Sequence, residues 1–306
     1  MDLNANDYQP RADRRRGWAG VIVRKVVEGY LRRNARQLLA QGVPQFFVVS
    51  QDHISNRILL GGFYERGYLD AAFEMLRANV RLKGVAIDAG ANIGNHSLYF
   101  SRHYDRVLSF EPNPRLDLVL RANAALVGNI ECFCLGLSDR ASDSKLRVID
   151  GYNLGSSTII EDAGQKLAAV YPISLARLDD IDSVKGVDVG LIKIDVENWE
   201  LQVLTGSVET LARCSPLVLF EQHERCFASD SSDSAVVSFL RAQGYDFFYE
   251  VDIFPRWQTG APKHLRNAIQ HIWRLVAGYS FQIRPIDRFH KRFYSFIIAS
   301  KTALRL

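Results

Sequence analysis

The chain has 306 residues, 47% hydrophobic and 24% charged, which suits one large α/β domain with insertions or two modest domains and excludes an intrinsically disordered chain. No apolar run approaches the ~18 residues of a spanning helix, and the opening MDLNANDYQPRADRRRGW lacks the apolar segment of a signal peptide. The net charge of +4 is uneven: residues 1–40 carry nine Lys/Arg against four Asp/Glu, residues 251–306 ten against two, and the acidic middle 19 against 28.

Basic ends of this kind suit an anionic partner such as a membrane surface, a charged glycan or nucleic acid; equally, they are solvated faces that balance an acidic body. The cysteines Cys132, Cys134, Cys214 and Cys226 form no C-x-x-C pair, so core packing is expected rather than metal binding or a disulfide. A reduced, cytoplasmic protein is the expectation, with the basic ends allowing a peripheral position at the inner face of the membrane.

In chain order, residues 14–40 read as a helix. Ile22, Val26, Val27, Tyr30, Leu31 and Leu38 gather on one side, with Arg24, Lys25, Arg32, Arg33 and Arg36 over much of the other. Such a helix can lie on an anionic membrane or dock its apolar face on its own domain. From about 85 to 249 apolar strands alternate with helical patterns. Strands are expected at 85–90, 106–111, 130–137, 189–195, 216–222 and 245–249, and helices at about 94–103, 114–127, 199–212 and 233–243. Near-continuous apolar strands separated by helices predict a doubly wound, mostly parallel sheet that binds its ligand at the carboxyl ends of the strands. Residues 140–188, with Gly151, Gly155, Ser142, Ser144, Ser156 and Ser157, are long for a connection and could form a lobe over the pocket. The last strand is expected in FYSFIIASK. The chain thus divides into a basic helical extension (1–50), a core (51–250), a basic and aromatic insertion (251–293) and a final core strand (294–306). In the insertion, Trp257, Trp273, Tyr279 and Phe281 would cap the pocket or pack on the body.

The chemistry centres on VAIDAGANIGNHSLYF at 85–100, a strand that runs into Asp88 and a small-residue loop with Gly90, Ala91, Asn92 and Gly94. A dinucleotide fingerprint would read G-x-G-x-x-G, and a P-loop would end in G-K-[ST]; neither is met. An acid at the strand end disfavours pyrophosphate and favours a cationic cofactor without phosphate, such as S-adenosylmethionine. Its carboxylate would sit by the N-terminus of the helix near Gly94. Glu111 closes the next strand, where an acid can grip both ribose hydroxyls. Asp139, or the backbone beside it, is the candidate for reading an adenine edge. Helix capping and solvated strand ends are the competing explanation for each acid taken singly.

AIDAGANIGNHSLYF, SFEPNP, ISLARLDDI, LIKIDVENWELQVLTGS and PLVLFEQHE, in this order and preceded by ILLGGFYERGYLD, together resemble the FkbM-type S-adenosylmethionine-dependent methyltransferases. The likeness covers about residues 52–250. It implies a class I methyltransferase fold, a Rossmann-like seven-stranded sheet whose last strand is antiparallel, and methyl transfer, usually to oxygen, on glycans, glycolipids or secondary metabolites. One departure stands out: the family commonly has Glu-Gly-x-Glu after the fourth strand, and here Asn198, followed by Trp199, replaces the glycine. Asparagine tolerates unusual backbone angles.

A hydroxyl acceptor needs a positioned base or a metal. Asp195 ends the fourth strand, while Glu221 and His223 end the fifth, two residues apart and so on one side; these three are the candidate catalytic residues. Glu200 is placed to cap a helix, and Lys193 to pair with an acid inside the sheet. Asp195, Glu221 and His223 could instead bind a divalent cation, although their spacing is no recognised metal motif. A cofactor-binding scaffold without chemistry is the alternative to an enzyme. The Asp/Asn-Pro-Pro-aromatic signature of nucleic-acid N-methylation is absent, DVENW standing in its place. The acceptor and the oligomeric state are not encoded in any local pattern.

Overall fold

The computed structural model describes residues 18–50, 52–149, 157–158, 167–227, 233–254 and 280–306. Residues 1–17, Gly151, Gly155, Ser156, Trp257, Trp273 and Tyr279 lie outside them. Three helices come first: α1 (Trp18–Ala40), α2 (His53–Gly61) and α3 (Arg66–Asn79). The central chain then runs β1 (Val85–Ala89), α4 (Asn95–Phe100), β2 (Arg106–Phe110), α5 (Pro114–Ala124) and β3 (Ile130–Phe133). A small second sheet follows from β4 (Gly136–Leu137), β5 (Ser142–Ile149), β6 (Ser157–Thr158) and β7 (Leu167–Ala176). The chain returns through β8 (Val189–Ile194), α6 (Glu200–Thr205), α7 (Val208–Cys214), β9 (Leu217–Gln222) and α8 (Ala235–Ala242). It ends in β10 (Phe247–Phe254), β11 (Ser280–Pro285) and β12 (Tyr294–Ser300).

The main sheet has eight strands in the order β11-β10-β12-β9-β8-β1-β2-β3. Strands β3, β2, β1, β8 and β9 are parallel to one another, and β12 is antiparallel to both β9 and β10. Apart from the edge strand β11, which pairs antiparallel with β10, this is the class I methyltransferase order with its antiparallel last strand. Every residue of β1 is buried, as a central strand covered on both faces must be. Alternate side chains serve two cores. Ile87, Ile192, Val218 and Phe220 pack with Val203, Leu204, Leu211 and Val237 of α6, α7 and α8. Ala86, Leu191 and Leu219 pack with Phe73, Leu76, Leu98 and Phe100 of α3 and α4.

Several elements differ from expectation for identifiable reasons. The strand expected at 130–137 is two strands in different sheets, because the chain leaves the main sheet before Gly136, where an added Cβ would lie 2.6 Å from Leu175 and 3.6 Å from Pro112. The helix expected at 199–212 breaks at Gly206, whose backbone presses on the carbonyl of Ser138, 1.9 Å from an added Cβ. The second half, α7, is capped from outside: Asp179 in the LARLDD segment accepts from Glu209 N–H at 2.9 Å and from Thr210 N–H at 3.0 Å. The strand expected at 245–249 runs from Phe247 to Phe254, and β11 gives it an edge partner inside the segment read as an insertion. There Phe281 packs on the body, beside Tyr68 at 4.9 Å between ring centroids.

Candidate active site

The site forms where the carboxyl ends of β1, β2, β8 and β9 meet the first turns of α2 and α4. At its floor the β1–α4 loop is locked by its backbone. Gly90 and Ala91 N–H both donate to Phe110 O at 3.0 Å, and Asp195 N–H donates to Ala89 O at 3.1 Å. Gly90 has φ +76°, and a Cβ there would stand 1.9 Å from the carbonyl oxygen of Asp195. Only glycine permits the ends of β1 and β8 to approach so closely.

Glu111 is the next fixed point. Its Oε2 accepts from Asn92 N–H and its Oε1 from Asn113 N–H, each at 2.8 Å. Burial pushes its carboxyl up to about 7, against the pull of those two N–H groups and of Lys193. The loop's own N–H groups are largely committed: Ile93 donates to Asn92 Oδ1 and Gly94 to Ala91 O, both at 2.8 Å.

Two adjoining cavities open over this floor and share Gly90, Glu111, Asp195 and Glu197. The smaller, about 60 Å³, is an apolar slot between Pro112, Leu116, Leu137, Leu146 and Trp199. Leu146 reaches it from β5, so the second sheet contributes the lobe expected from residues 140–188. Trp199 is anchored by donating Nε1–H to Ser138 Oγ at 3.2 Å. The larger cavity, about 240 Å³, is strongly polar, with Glu65, His96, Asp195, Glu221 and His223 on its wall together with His53 and Tyr64.

Two glutamate–histidine pairs face this larger space. His223 Nε2 lies 2.7 Å from Glu221 Oε1, and His96 Nε2 lies 3.5 Å from Glu65 Oε2. Burial, reinforced by Asp195, Glu65, Glu197 and Glu200, lifts the Glu221 carboxyl to about 8. Burial and Arg225 move His223 in the opposite direction, downward. Glu65 itself sits at φ +58°; its neighbour Tyr64 is clamped by Asn95, which accepts from Tyr64 N–H at 2.8 Å and donates to Tyr64 O at 3.1 Å. Non-glycine residues at positive φ also include Asn92 (+52°), Glu197 (+50°) and Asn198 (+71°), so three strained residues, Glu65, Asn92 and Glu197, line the larger cavity. Asn198, where the family pattern carries glycine, takes the left-handed conformation. It is held by Arg225 Nε, which donates to its Oδ1 at 2.9 Å, and its N–H donates to Glu200 Oε1 at 3.0 Å.

The expected residues thus fall into two groups. Gly90, Ala91, Asn92, Glu111, Asp195, Glu221 and His223 line one or both cavities. Gly94 shapes the loop from behind, at φ +89° with Leu120 2.9 Å from where its Cβ would be. Asp88 and Asp139 are not among the residues that line either cavity. Asp88 is fully buried, 3.1 Å from Lys193 Nζ, while its Oδ2 accepts from Ser97 Oγ at 2.6 Å. The acid at the strand end thus pairs with a lysine on the neighbouring strand. Asp139 stands beyond the break in the third strand and accepts from Ser138 Oγ at 3.1 Å; the slot wall beside it is Leu137. Glu65, His96, His53 and Tyr64 were not singled out in the sequence. Among the described residues, no cluster of three or more His, Cys, Asp or Glu is arranged to hold a metal ion.

Comparison with known proteins gives the same direction. Residues 88–247 match the family described as the methyltransferase FkbM domain. Methyltransferase sdnD of Sordaria araneosa is 30% identical over 176 residues, 47% of this chain and 67% of that protein. The 31-O-demethyl-FK506 methyltransferase FkbM of Streptomyces tacrolimicus is 28% identical over 223 residues, 62% of this chain and 81% of that protein. A crystal structure of a methyltransferase FkbM from Methylobacillus flagellatus KT superposes with a TM-score of 0.37 at 16% identity, covering 89% of this chain and 60% of that one. S-adenosylmethionine is the cofactor, and the residues present fit it. An apolar slot of purine-like lining adjoins a buried carboxylate suited to a diol, and acids face the space beyond. With more than half its length matched, the chain belongs to the FkbM methyltransferase family.

Proposed function

We propose that this protein methylates a hydroxyl group of a glycan, glycolipid or secondary metabolite. The observation that carries this reading is the Glu221–His223 pair on the wall of the larger cavity, 2.7 Å apart and beside Asp195. The bound cofactor would supply an electrophilic methyl on a sulfonium. Pro112, Leu137, Leu146 and Trp199 would hold the adenine, and Glu111 would accept from the ribose hydroxyls. Asp195 and Glu197 would hold the cationic end, since negative charge favours an ammonium and a sulfonium.

The chain's remaining task is to align the acceptor oxygen and take its proton. With Glu221 ionised and accepting from His223 Nε2–H, the other ring nitrogen of His223 carries a free lone pair for that proton. The resulting imidazolium is stabilised by the carboxylate it already touches. The wall's acids also disfavour an anionic reacting end on the acceptor, so the group methylated belongs to a neutral or cationic part of the molecule. The relative named 31-O-demethyl-FK506 methyltransferase supports oxygen as the target, since its name specifies that atom.

The test is transfer of a labelled methyl from S-adenosylmethionine to a panel of neutral glycans, polyols, amines and phosphorylated sugars, with products located by mass spectrometry. Methyl ethers from neutral acceptors are expected. Label only on nitrogen or carbon would overturn the oxygen assignment, and cofactor binding without transfer to any compound would favour a scaffold.

A further inference from the structure

Helix α1 is 23 residues long, yet none of its residues is buried. Only its second half is tied to the body. Asn34 Nδ2 donates to the carbonyls of Leu59 and Leu60 at 2.9 and 3.2 Å, and Leu38 packs against the turn at Gly62 and Val43. Toward its start, Trp18, Ile22, Val23, Val26 and Tyr30 are exposed by 79%, 53%, 61%, 65% and 55%. Among the described residues, this apolar face is therefore left uncovered.

The pattern on the helix is ordered. At about 100° per residue, Ile22, Val26, Tyr30 and Val23 fill one sector roughly a quarter to a third of the circumference wide. Lys25, Arg32 and Arg36 fill the adjoining sector, Arg33 falls at an angle between Ile22 and Val26, and Asn34 and Leu38 face the body. Glu28 is the one acid in this helix, and Arg24 Nε already pairs with it at 2.9 Å. The apolar surface continues onto α2, where Leu59 and Leu60 are exposed by 45% and 51% beside the carbonyls that hold Asn34. The first turn of α2 carries His53 and Ile54 into the wall of the larger cavity, about 9 Å along the helix from Leu59.

We propose that α1 and the end of α2 form a docking surface for an anionic lipid bilayer, with α1 lying in the interfacial plane. Aliphatic side chains and a tryptophan would enter the headgroup–acyl boundary while the adjoining Lys and Arg meet lipid phosphates. Charge complementarity selects this occupant. A second copy of the chain would bring two basic sectors together, and nucleic acid would match the cations but leave the aliphatic sector in water. The acidic body, with 28 Asp/Glu against 19 Lys/Arg over residues 41–250, is repelled from the same surface, which orients the molecule with the helix toward the lipid. This inference stands on the helix alone and is independent of the methyl-transfer reading.

Co-sedimentation of the full chain with phosphatidylcholine vesicles, with and without phosphatidylglycerol, tests it. Binding is expected only with the anionic lipid, weakened at least ~10-fold both in the Ile22→Glu/Val26→Glu double variant and in Arg33→Glu/Arg36→Glu. All four positions are exposed, so both variants should melt with the wild type. Three results would overturn the proposal: no binding to anionic vesicles, undiminished binding by the Ile22→Glu/Val26→Glu variant, or a dimer in light scattering that this variant dissolves.

Discussion

Lys193 Nζ lies 3.1 Å from Asp88 Oδ1 across adjacent strands and donates to Gly90 O at 2.9 Å, with the lysine side chain 5% exposed and the aspartate 0%. The two charges are paired beneath the cofactor loop, and Asp195 Oδ2 is 3.6 Å from the same ammonium. Burial alone would drive Lys193 downward, but Asp88 and Asp195 reverse that and hold its ammonium charged. Ser109 Oγ donates to Ser97 Oγ at 2.8 Å, which in turn donates to Asp88, so a buried polar chain braces the loop from behind.

Removing one partner of such a pair is expected to cost more than removing both. Asp88→Asn should destabilise the fold by about 3–5 kcal/mol because Lys193 is left buried without its main counter-charge. The Asp88→Asn/Lys193→Met double variant should lose clearly less than the sum of the two single losses. Urea unfolding of the four proteins measures this; additive losses would show that the pair is not coupled.

Gly90→Ala puts a methyl group against the Asp195 carbonyl at a backbone angle that L-residues avoid. A loss of about 2 kcal/mol or more in stability is expected. S-adenosylhomocysteine binding should fall with it even under conditions where the variant stays folded, since Gly90 borders both cavities. Near-normal calorimetric binding by a folded Gly90→Ala protein would mean that the loop does not shape the cofactor site.

The Glu221–His223 pair sets the expected pH dependence. Below about 8 the Glu221 carboxyl holds a proton, and the pair has no carboxylate to orient His223. Raising the pH through that value ionises Glu221 and frees the histidine lone pair, so kcat/KM should rise with an apparent pKa near 8 that belongs to the pair. His223→Ala should slow turnover ~10²–10⁴-fold without weakening cofactor binding, and Glu221→Gln should remove the pH limb. An unchanged pH profile in Glu221→Gln would take this pair out of the proton transfer.

What the sequence revealed and concealed follows from the range of the interactions involved. Gly90 and Glu111 are local: a tight turn needs glycine, and an acid at the end of the next strand is a spacing that can be counted. The partner of Asp88, Lys193, is remote in sequence and becomes a neighbour only when β1 and β8 pair. Asp139 follows a break at Gly136 that depends on Leu175 and Pro112, contacts that no periodicity displays. Glu65 and His96 left no motif at all; they meet through the Tyr64–Asn95 clamp, and the positive φ of Glu65 is a tertiary constraint on an ordinary residue. Asn198 is legible as a departure from the family's glycine, at a position whose backbone is left-handed. The amphipathic pattern of α1 was equally clear, but whether the domain covered it could be settled only by the packing of Asn34 and Leu38 against α2.

We propose that the paired cavities on either side of Glu111 hold S-adenosylmethionine. Calorimetric titration with S-adenosylhomocysteine, using wild type and Glu111→Ala with NAD as control, tests it most directly. Saturable one-to-one binding by wild type is predicted. It should be weakened about 100-fold or more in Glu111→Ala through loss of the hydroxyl contacts, and NAD should give no heat. Equal binding by the two proteins, or no binding by a folded wild type, would contradict the account.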